Sequence, residues 1–170
     1  MGPSDTCSFH SMFFLGIDPG ITGGVVILND DGTLSSSIRT PVITDKGKKH
    51  FDIPGMVEVI DSIDERVMCG IEKVGTLPRD GRVGAFNFGR GYGLWLGILG
   101  ALRVPYAEIP PQRWQAKMLT GLPRGPQTKT SAVQRAKSLF PDLPIRVKAD
   151  WGMADAALIA AFQRLTHSPL

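Results

Sequence analysis

Cysteine is scarce in this 170-residue chain, which holds only Cys7 and Cys69. So few cysteines argue against a disulfide framework and fit a reducing compartment. Long apolar runs are missing too, because none approaches the roughly 20 residues that a membrane-spanning helix needs. No internal repeat or low-complexity block occurs either. These absences exclude a disulfide-stapled secreted domain and a helical membrane protein as interpretations.

The length and the hydrophobic fraction of 42% predict one soluble globular domain with a substantial core. Residues 1–11 lack periodicity and precede a second methionine, Met12. We predict that they are a disordered tail, as a cloning remnant or an alternative start would be. They are too short, and have neither the Arg-rich nor the apolar character, for a transit or signal peptide. The folded domain is predicted to span residues 12–170.

Charge is strongly segregated along the chain, although the net charge is only +3. Residues 1–65 carry 4 basic and 10 acidic side chains, and residues 149–170 carry 1 basic and 2 acidic ones. Residues 66–148 instead carry 14 basic and 4 acidic side chains. Such a basic segment is typical of a face that binds a polyanion, although solvated helix faces would account for part of it.

An apolar stretch at residues 13–17 ends in Asp18, and Pro19 and Gly20 then break the strand. The carboxylate of Asp18 is thereby delivered at a strand terminus, and Gly23 and Gly24 let a bulky partner come close. A carboxylate beside a glycine turn suits either a metal ion or a phosphate. The alternative is an aspartate that only caps its own turn, which is the usual role of Asp in Asp-Pro-Gly.

The patterns predict strands at 13–18, 25–28, 33–42, 66–74 and 104–109, with the third at a sheet edge. We expect helices from about Asp52, its N-cap, to 63, and at 85–102, 112–119, 130–140 and 150–166. Residues 44–50 and 120–127 are predicted loops. This order begins as a meander and continues as parallel α/β units. Asp18 and Glu72 should therefore lie side by side at one sheet edge.

A third acid, Asp155, lies among alanines in the first turns of the last predicted helix. Converging carboxylates without a cationic partner repel each other, and they suit Mg²⁺ or Mn²⁺, which prefer oxygen ligands. Two such ions about 3.5–4 Å apart can activate water and stabilise the leaving oxygen of a phosphodiester. Each acid has an ordinary alternative: Glu72 an edge charge, Asp150 a helix N-cap, and Asp155 a solvated first-turn acid.

Four segments in this order and spacing resemble the RuvC-type Holliday-junction resolvases, and the likeness covers about residues 13–165. They are Gly-Ile-Asp-Pro-Gly at 16–20, Gly-Ile-Glu-Lys-Val at 70–74, Tyr-Ala-Glu-Ile-Pro-Pro at 106–111 and Ala-Asp-Ala-Ala-Leu-Ile-Ala at 154–160. The phage-like and organelle-like branch is the most similar. The resemblance implies an α/β, RNase H-like fold: a five-stranded mixed sheet, with strands 1–3 antiparallel and 4–5 parallel, flanked by helices.

The resemblance also implies a homodimer that cuts four-way DNA junctions symmetrically, in recombination and repair, with two divalent metal ions per site. Asp18, Glu72 and Asp155 would be metal ligands, with Asp150 as the fourth acid. Bacterial members carry that fourth ligand three residues before the last Asp, where this chain has Gly152. Asp150 is five residues before, so it must lie on the approach to the helix to reach the metals. Trp151 stands where the related branch often has His.

Cations around an acidic centre would supply the affinity for DNA that the acids oppose, and that affinity should fall steeply with salt. Lys129 matches a phosphate-contacting lysine of the family and is the candidate cation beside the scissile phosphate. The other candidate DNA-binding residues are Arg79, Arg82, Arg90, Arg113, Lys117 and Arg124. Some members insert an aromatic wedge three residues after the strand glutamate, where this chain has Gly75, so Leu77 is the candidate wedge.

The remaining aromatic residues are interpreted mainly as packing residues. We predict that Phe86, Phe88, Tyr92 and Trp95 pack in the core or at a dimer interface, around a glycine-rich helix suited to close packing. Trp114 is predicted to pack its helix, and the role of Trp151 is left open.

The leading hypothesis is a metal-dependent, structure-selective DNA endonuclease in the cytoplasm of a bacterial or phage-infected cell, with an organelle matrix as the alternative. A same-fold nuclease acting on RNA or RNA–DNA hybrids stays open, as does a non-catalytic junction-binding module. An actin-like kinase begins with a similar Gly-Ile-Asp turn, but it needs a second domain that 170 residues cannot hold.

Overall fold

The computed structural model describes residues 12–75, 81–146 and 150–167. The strands in these ranges are β1 Met12–Asp18, β2 Gly24–Leu28, β3 Leu34–Arg39, β4 Val42–Asp45, β5 Lys48–Phe51, β6 Arg66–Glu72 and β7 Tyr106–Ile109. The α-helices are α1 Ile53–Asp61, α2 Arg82–Ala101, α3 Pro111–Met118, α4 Thr128–Leu139 and α5 Trp151–Thr166, with a 3-10 helix Gly125–Gln127 before α4. None of these helices is long and apolar enough to cross a bilayer.

The main sheet has five strands in the order β3-β2-β1-β6-β7. Strands β1, β2 and β3 pair antiparallel, whereas β6 and β7 join β1 in parallel. The predicted mixed sheet is therefore confirmed, with β3 at its edge. Parallel pairing ends at Ile17 and Ile71, so the next residue on each strand, Asp18 or Glu72, emerges at the same edge.

Helices cover both faces of the sheet, and successive side chains of β1 alternate between two cores. Phe14 packs with the buried residues of α3, α4 and α5, whereas Leu15 and Ile17 pack with those of α1 and α2. Helix α5 lies so close against β1 that a Cβ on Gly16 would clash with the backbone of Ala156 and Ala160. This contact fixes the distance between the last helix and the strand that carries Asp18.

The segment predicted as a basic loop, 44–50, instead forms most of a second, two-stranded sheet of β4 and β5. Lys46 and Gly47 both have positive φ, at 46° and 75°, as a tight hairpin turn with right-handed strand twist requires. The hairpin is charged and largely exposed, so it lacks the alternating apolar pattern that marks a strand. Phe51 anchors it by packing against Gly91 of α2.

Other boundaries differ by a few residues from those expected. The third strand ends at Arg39 rather than 42, and α2 begins at Arg82 rather than 85. Asp52 is the N-cap of α1 as predicted, and its carboxylate accepts a hydrogen bond of 3.3 Å from the Gly55 N–H. Cys69 is buried and free, whereas Cys7 and the rest of the predicted tail, 1–11, lie outside the described residues.

Candidate metal centre and nucleic-acid interface

Asp18 lies at the end of the central strand, where its backbone is held by a tight turn. Its carboxylate accepts a hydrogen bond of 2.9 Å from the Gly20 N–H, and Gly23 N–H donates to Gly20 O at 2.9 Å. The Thr40 hydroxyl also donates to Gly20 O, at 2.9 Å. Asp18 Oδ1 therefore caps its own turn, which was the alternative role considered for this residue. The same hydrogen bond fixes the position of the carboxylate.

Glu72 ends β6 beside Asp18 and is held by a side chain from α3. The indole N–H of Trp114 donates to Glu72 Oε2 at 2.8 Å. Trp114 is completely buried, so its own orientation is set by the core. The helix-packing prediction for Trp114 is thereby confirmed, but the hydrogen bond to a candidate ligand was not predicted, because only tertiary packing brings α3 over the end of β6.

Asp155 comes from α5, and the small residues around it bring it close to the sheet. Ala154 and Ala156 are completely buried, which lets the helix backbone approach β1. Each of the three acids keeps some exposed surface. Asp18, Glu72 and Asp155 come from three separate elements, and they lie near enough that the charge of Asp18 acts on the other two carboxyls.

The pKa values of these three carboxyls show that they act on one another. Burial raises the pKa of Asp18, while the Gly20 hydrogen bond and Lys129 oppose the rise. Burial and the charge of Asp18 raise the pKa of Glu72 to about 7, against the Trp114 hydrogen bond and Lys129. Burial, Asp18 and Glu72 raise the pKa of Asp155 well above its usual range. The charge of Asp18 thus disfavours the ionised forms of Glu72 and Asp155, and a bound cation would relieve that repulsion.

The fit to a divalent metal is clear in donor chemistry and electrostatics. Three carboxylates offer the hard oxygen ligands that Mg²⁺ and Mn²⁺ prefer. As the side chains stand, no three Asp, Glu, His or Cys residues of the described ranges surround one common metal position. Ligation of one ion by all three would therefore require side-chain rotation around the backbones that the fold holds in place.

Asp150 takes partners different from those of the other three acids. It is buried, forms an ion pair with Arg39 at the end of β3, and accepts a hydrogen bond of 2.8 Å from the Arg146 N–H. It occupies the N-cap position of α5, but its side chain does not cap the helix. The charges that shift the pKa values of Asp18, Glu72 and Asp155 do not include Asp150. The structure therefore does not bring the predicted fourth acid into the cluster.

Position 152, three residues before Asp155, has no space for the acid or histidine that bacterial resolvases carry there, which explains the glycine. A Cβ at this position would lie 2.6 Å from Asp18 Oδ2 and 2.6 Å from Gly23 Cα. No side chain fits there unless Asp18 or the helix moves. The sequence marks Gly152 only as a departure, and its steric reason depends on how closely α5 approaches the first turn.

Among the cations of the described residues, Lys129 acts on the acid cluster, since its charge opposes the pKa rise of all three carboxyls. Its ammonium lies over the ring of Trp151, 5.2 Å from the centroid. A tryptophan face attracts an ammonium without neutralising it, so the charge stays available to a phosphate. The open role of Trp151 is thus answered by a contact with Lys129.

The other candidate DNA-binding cations in the described ranges are all exposed. They are Arg82 and Arg90 on α2, Arg113 and Lys117 on α3, and Arg124 before the 3-10 helix. The guanidinium of Arg113 also lies over the Phe162 ring, 5.8 Å from its centroid. Two further candidates, Arg79 and the proposed wedge Leu77, lie outside the described residues.

The aromatic residues of α2 divide into two groups. Trp95 is completely buried and Tyr92 is half-buried, as the core prediction requires. Phe86 and Phe88 are instead 70% and 51% exposed, so core packing is wrong for these two. Helix periodicity already places Phe86 on the side of α2 opposite Trp95. Phe88 shares the Trp95 side, and its exposure could not be predicted because periodicity cannot tell where a helix extends past the layer beneath it.

Comparison with solved structures assigns the fold. The five-stranded mixed sheet with helices on both faces is an RNase H-like fold, and the particular fold is that of RuvC. A Thermus thermophilus RuvC in complex with a Holliday junction substrate matches at a TM-score of 0.64 and 18% identity, over 95% of this chain and 99% of that one. Another Thermus thermophilus RuvC structure matches at 0.58 and 20%, over 88% and 91%.

The predicted resemblance is thereby confirmed at the level of the fold. No family model and no curated protein matches the chain. The activity therefore has to be argued from the chain's own residues.

Proposed function

We propose that this protein is a divalent-metal-dependent endonuclease that cuts four-way DNA junctions. One observation carries the proposal: in a RuvC fold, Asp18 and Glu72 end neighbouring strands close enough to Asp155 of α5 that the charge of Asp18 raises the pKa of both other carboxyls. Burying three acids together costs stability unless a cation binds them, so the cluster has a function that outweighs this cost.

The three carboxylates would hold Mg²⁺, with Mn²⁺ as an alternative, in a site for two ions. When bound, such ions activate a water molecule and stabilise the leaving oxygen of the phosphodiester. Asp18 and Glu72 are fixed by their strand ends, and Asp155 by the close packing of α5 on Gly16. Asp150 would join as a fourth ligand only by leaving Arg39.

DNA affinity would come from the exposed cations around the cluster. Lys129 would contact the phosphate nearest to the acids, and Arg82, Arg90, Arg113 and Lys117 would contact the backbone farther away. Each phosphate contact releases counterions, so affinity should fall steeply as salt rises. A four-way junction fits this proposal better than plain duplex because the solved RuvC with the higher TM-score, 0.64, holds a Holliday junction substrate.

The outward face of α2 is proposed as the interface of a homodimer, in which each subunit would cut one of two symmetry-related strands. Open space surrounds a Cβ built on any of the four glycines that repeat along this face, Gly89, Gly93, Gly97 and Gly100. Exposed Phe86 lies on the same face. A glycine inside a helix costs about 1 kcal/mol relative to alanine, so a second copy packing closely here would give these glycines a purpose.

Replacing Gly97 with leucine tests the interface. The variant should be monomeric at concentrations where the wild type is dimeric, as measured by light scattering after size exclusion. Gly84→Ala, in open space on another face of α2, is the matched control and should leave the dimer intact. A dimeric Gly97→Leu protein would contradict the proposed interface.

Cleavage of labelled four-way junction, duplex and RNA–DNA hybrid, side by side with Mg²⁺ and with chelator, tests the activity. We expect Mg²⁺-dependent nicks in the junction that leave 5′-phosphates. Asp18→Asn should abolish cleavage while retaining junction binding, because it removes a ligand and leaves the cationic surface. Preferred cleavage of the hybrid would indicate the same-fold RNA nuclease instead, and binding without nicks would indicate a non-catalytic junction-binding module.

A further inference from the structure

We infer that Trp114 is a positioning residue for Glu72, holding one carboxylate oxygen so that the other is presented to the metal. This inference rests on the proposed function, because it concerns the same cluster of acids. The observation behind it is the hydrogen bond of 2.8 Å from the Trp114 indole to Glu72 Oε2. Within the described residues, Oε1 of Glu72 has no comparable bond.

The donor is well suited to this task by its chemistry. An indole N–H donates one hydrogen bond and accepts none, so Trp114 can neither compete for a metal ion nor remove a proton from Glu72. It favours the ionised carboxylate, which is the form that ligates a metal. Hydrogen-bonding partners of this kind orient metal ligands, and their removal typically weakens metal affinity by about 10–100-fold.

The fold makes Trp114 a rigid support. Helix α3 begins at Pro111, two residues after Ile109 of β7, which is the register partner of Glu72. Trp114 is completely buried in the same core as Ile109 and Met118. Since neither the strand end nor the ring can move without disturbing that core, the direction of the hydrogen bond is fixed.

Trp95 provides a matched control that the chain itself supplies. It too is completely buried, but its indole N–H has no hydrogen-bond partner among the described residues. A Trp→Phe change therefore removes ring volume at both positions and removes a hydrogen bond only at Trp114. A general loss of packing would affect both variants, whereas loss of positioning would affect one.

The test measures Mn²⁺ affinity by electron paramagnetic resonance, without DNA, for wild type, Trp114→Phe and Trp95→Phe. We expect about a 10–100-fold weaker affinity for Trp114→Phe and little change for Trp95→Phe. Equal affinity of Trp114→Phe and wild type would overturn the inference and leave the proposed nuclease standing. If the wild type itself binds no Mn²⁺, the proposed metal site fails, and the inference fails with it.

A second measurement keeps the inference testable if Trp114→Phe does not fold. In an ¹H–¹⁵N spectrum of the indole groups, the Trp114 resonance should shift with Glu72→Gln and on addition of Mg²⁺. The Trp95 resonance should shift in neither case. If the chemical shift of the Trp114 indole does not change in Glu72→Gln, the hydrogen bond does not form in solution, and the inference is overturned.

Discussion

Gly152 is the second residue of α5, and its replacement by alanine perturbs Asp18 with a single added methyl group. The new Cβ would lie 2.6 Å from Asp18 Oδ2, 2.6 Å from Gly23 Cα and 2.7 Å from Thr22 O. Two of these neighbours are backbone atoms of a tight turn, which cannot easily yield. The carboxylate of Asp18 is the softest neighbour, so we expect it to be displaced, together with a small shift of the helix.

The size of the displacement sets the expected loss of activity. Reaching an ordinary contact distance of 3.4 Å requires a movement of about 0.8 Å. Misplacing a reacting group by about 1 Å costs on the order of 10²-fold in rate, so cleavage by Gly152→Ala should be about 100-fold slower. The strain of about 1–3 kcal/mol is partly offset by the better helix propensity of alanine, about 1 kcal/mol, so the protein should stay folded.

Single-turnover cleavage of a four-way junction in Mg²⁺, with junction binding and thermal unfolding measured in parallel, checks this prediction. Gly84→Ala is the control, because a Cβ there meets open space. It should cleave at the wild-type rate. If Gly152→Ala also cleaves at that rate, then Asp18 does not stand where the reaction needs it, and the assignment of Asp18 to the metal site is refuted.

Three further predictions concern charge. Lys129→Ala should weaken junction binding and reduce the slope of log affinity against log salt by about one, measured by fluorescence anisotropy, whereas Lys137→Ala at the far end of α4 should do neither. The pKa of Glu72 is raised from 4.5 to about 7, so between these pH values the folded protein holds a proton that the unfolded chain has released. Without metal, the free energy of unfolding should therefore fall as the pH rises from about 4.5 to 7. Glu72→Gln should flatten this decline in urea titrations with chelator. Arg39→Ala leaves buried Asp150 without its ion pair and should destabilise the protein by about 1–3 kcal/mol without changing Mn²⁺ affinity; an affinity change would instead favour Asp150 as a ligand.

The strands that carry Asp18 and Glu72 could be predicted because each is an apolar run that ends in a single acid. Burial on both faces of the sheet produces that run, and parallel pairing then forces the two ends together. Asp155 could be predicted as well, because the alanines beside it mark a helix that packs closely. Local patterns, together with the strand order that they predict, were therefore enough to place these three residues near one another.

Contacts made by side chains across elements could not be predicted in the same way. The Trp114 hydrogen bond and the pairing of Asp150 with Arg39 depend on how α3 and β3 dock, and no local pattern records that. Phe88 follows the apolar spacing of a packed helix, yet it is exposed. The hairpin of β4 and β5 was missed because its strands are short and largely exposed, with no alternating apolar pattern.

Three glycines allow the close backbone contacts that position the acidic residues of the site. Gly16 lets α5 approach β1, Gly91 lets α2 reach the Pro19 turn, and Gly152 leaves room for the Asp18 carboxylate. In each case the absence of a side chain allows two backbone segments to lie close together, and this distance determines where the acidic side chains lie. Those distances keep Glu72 and Asp155 within reach of the Asp18 charge, and a bound metal would relieve that repulsion. Because a metal bound here would bind only the folded protein, it should raise the free energy of unfolding.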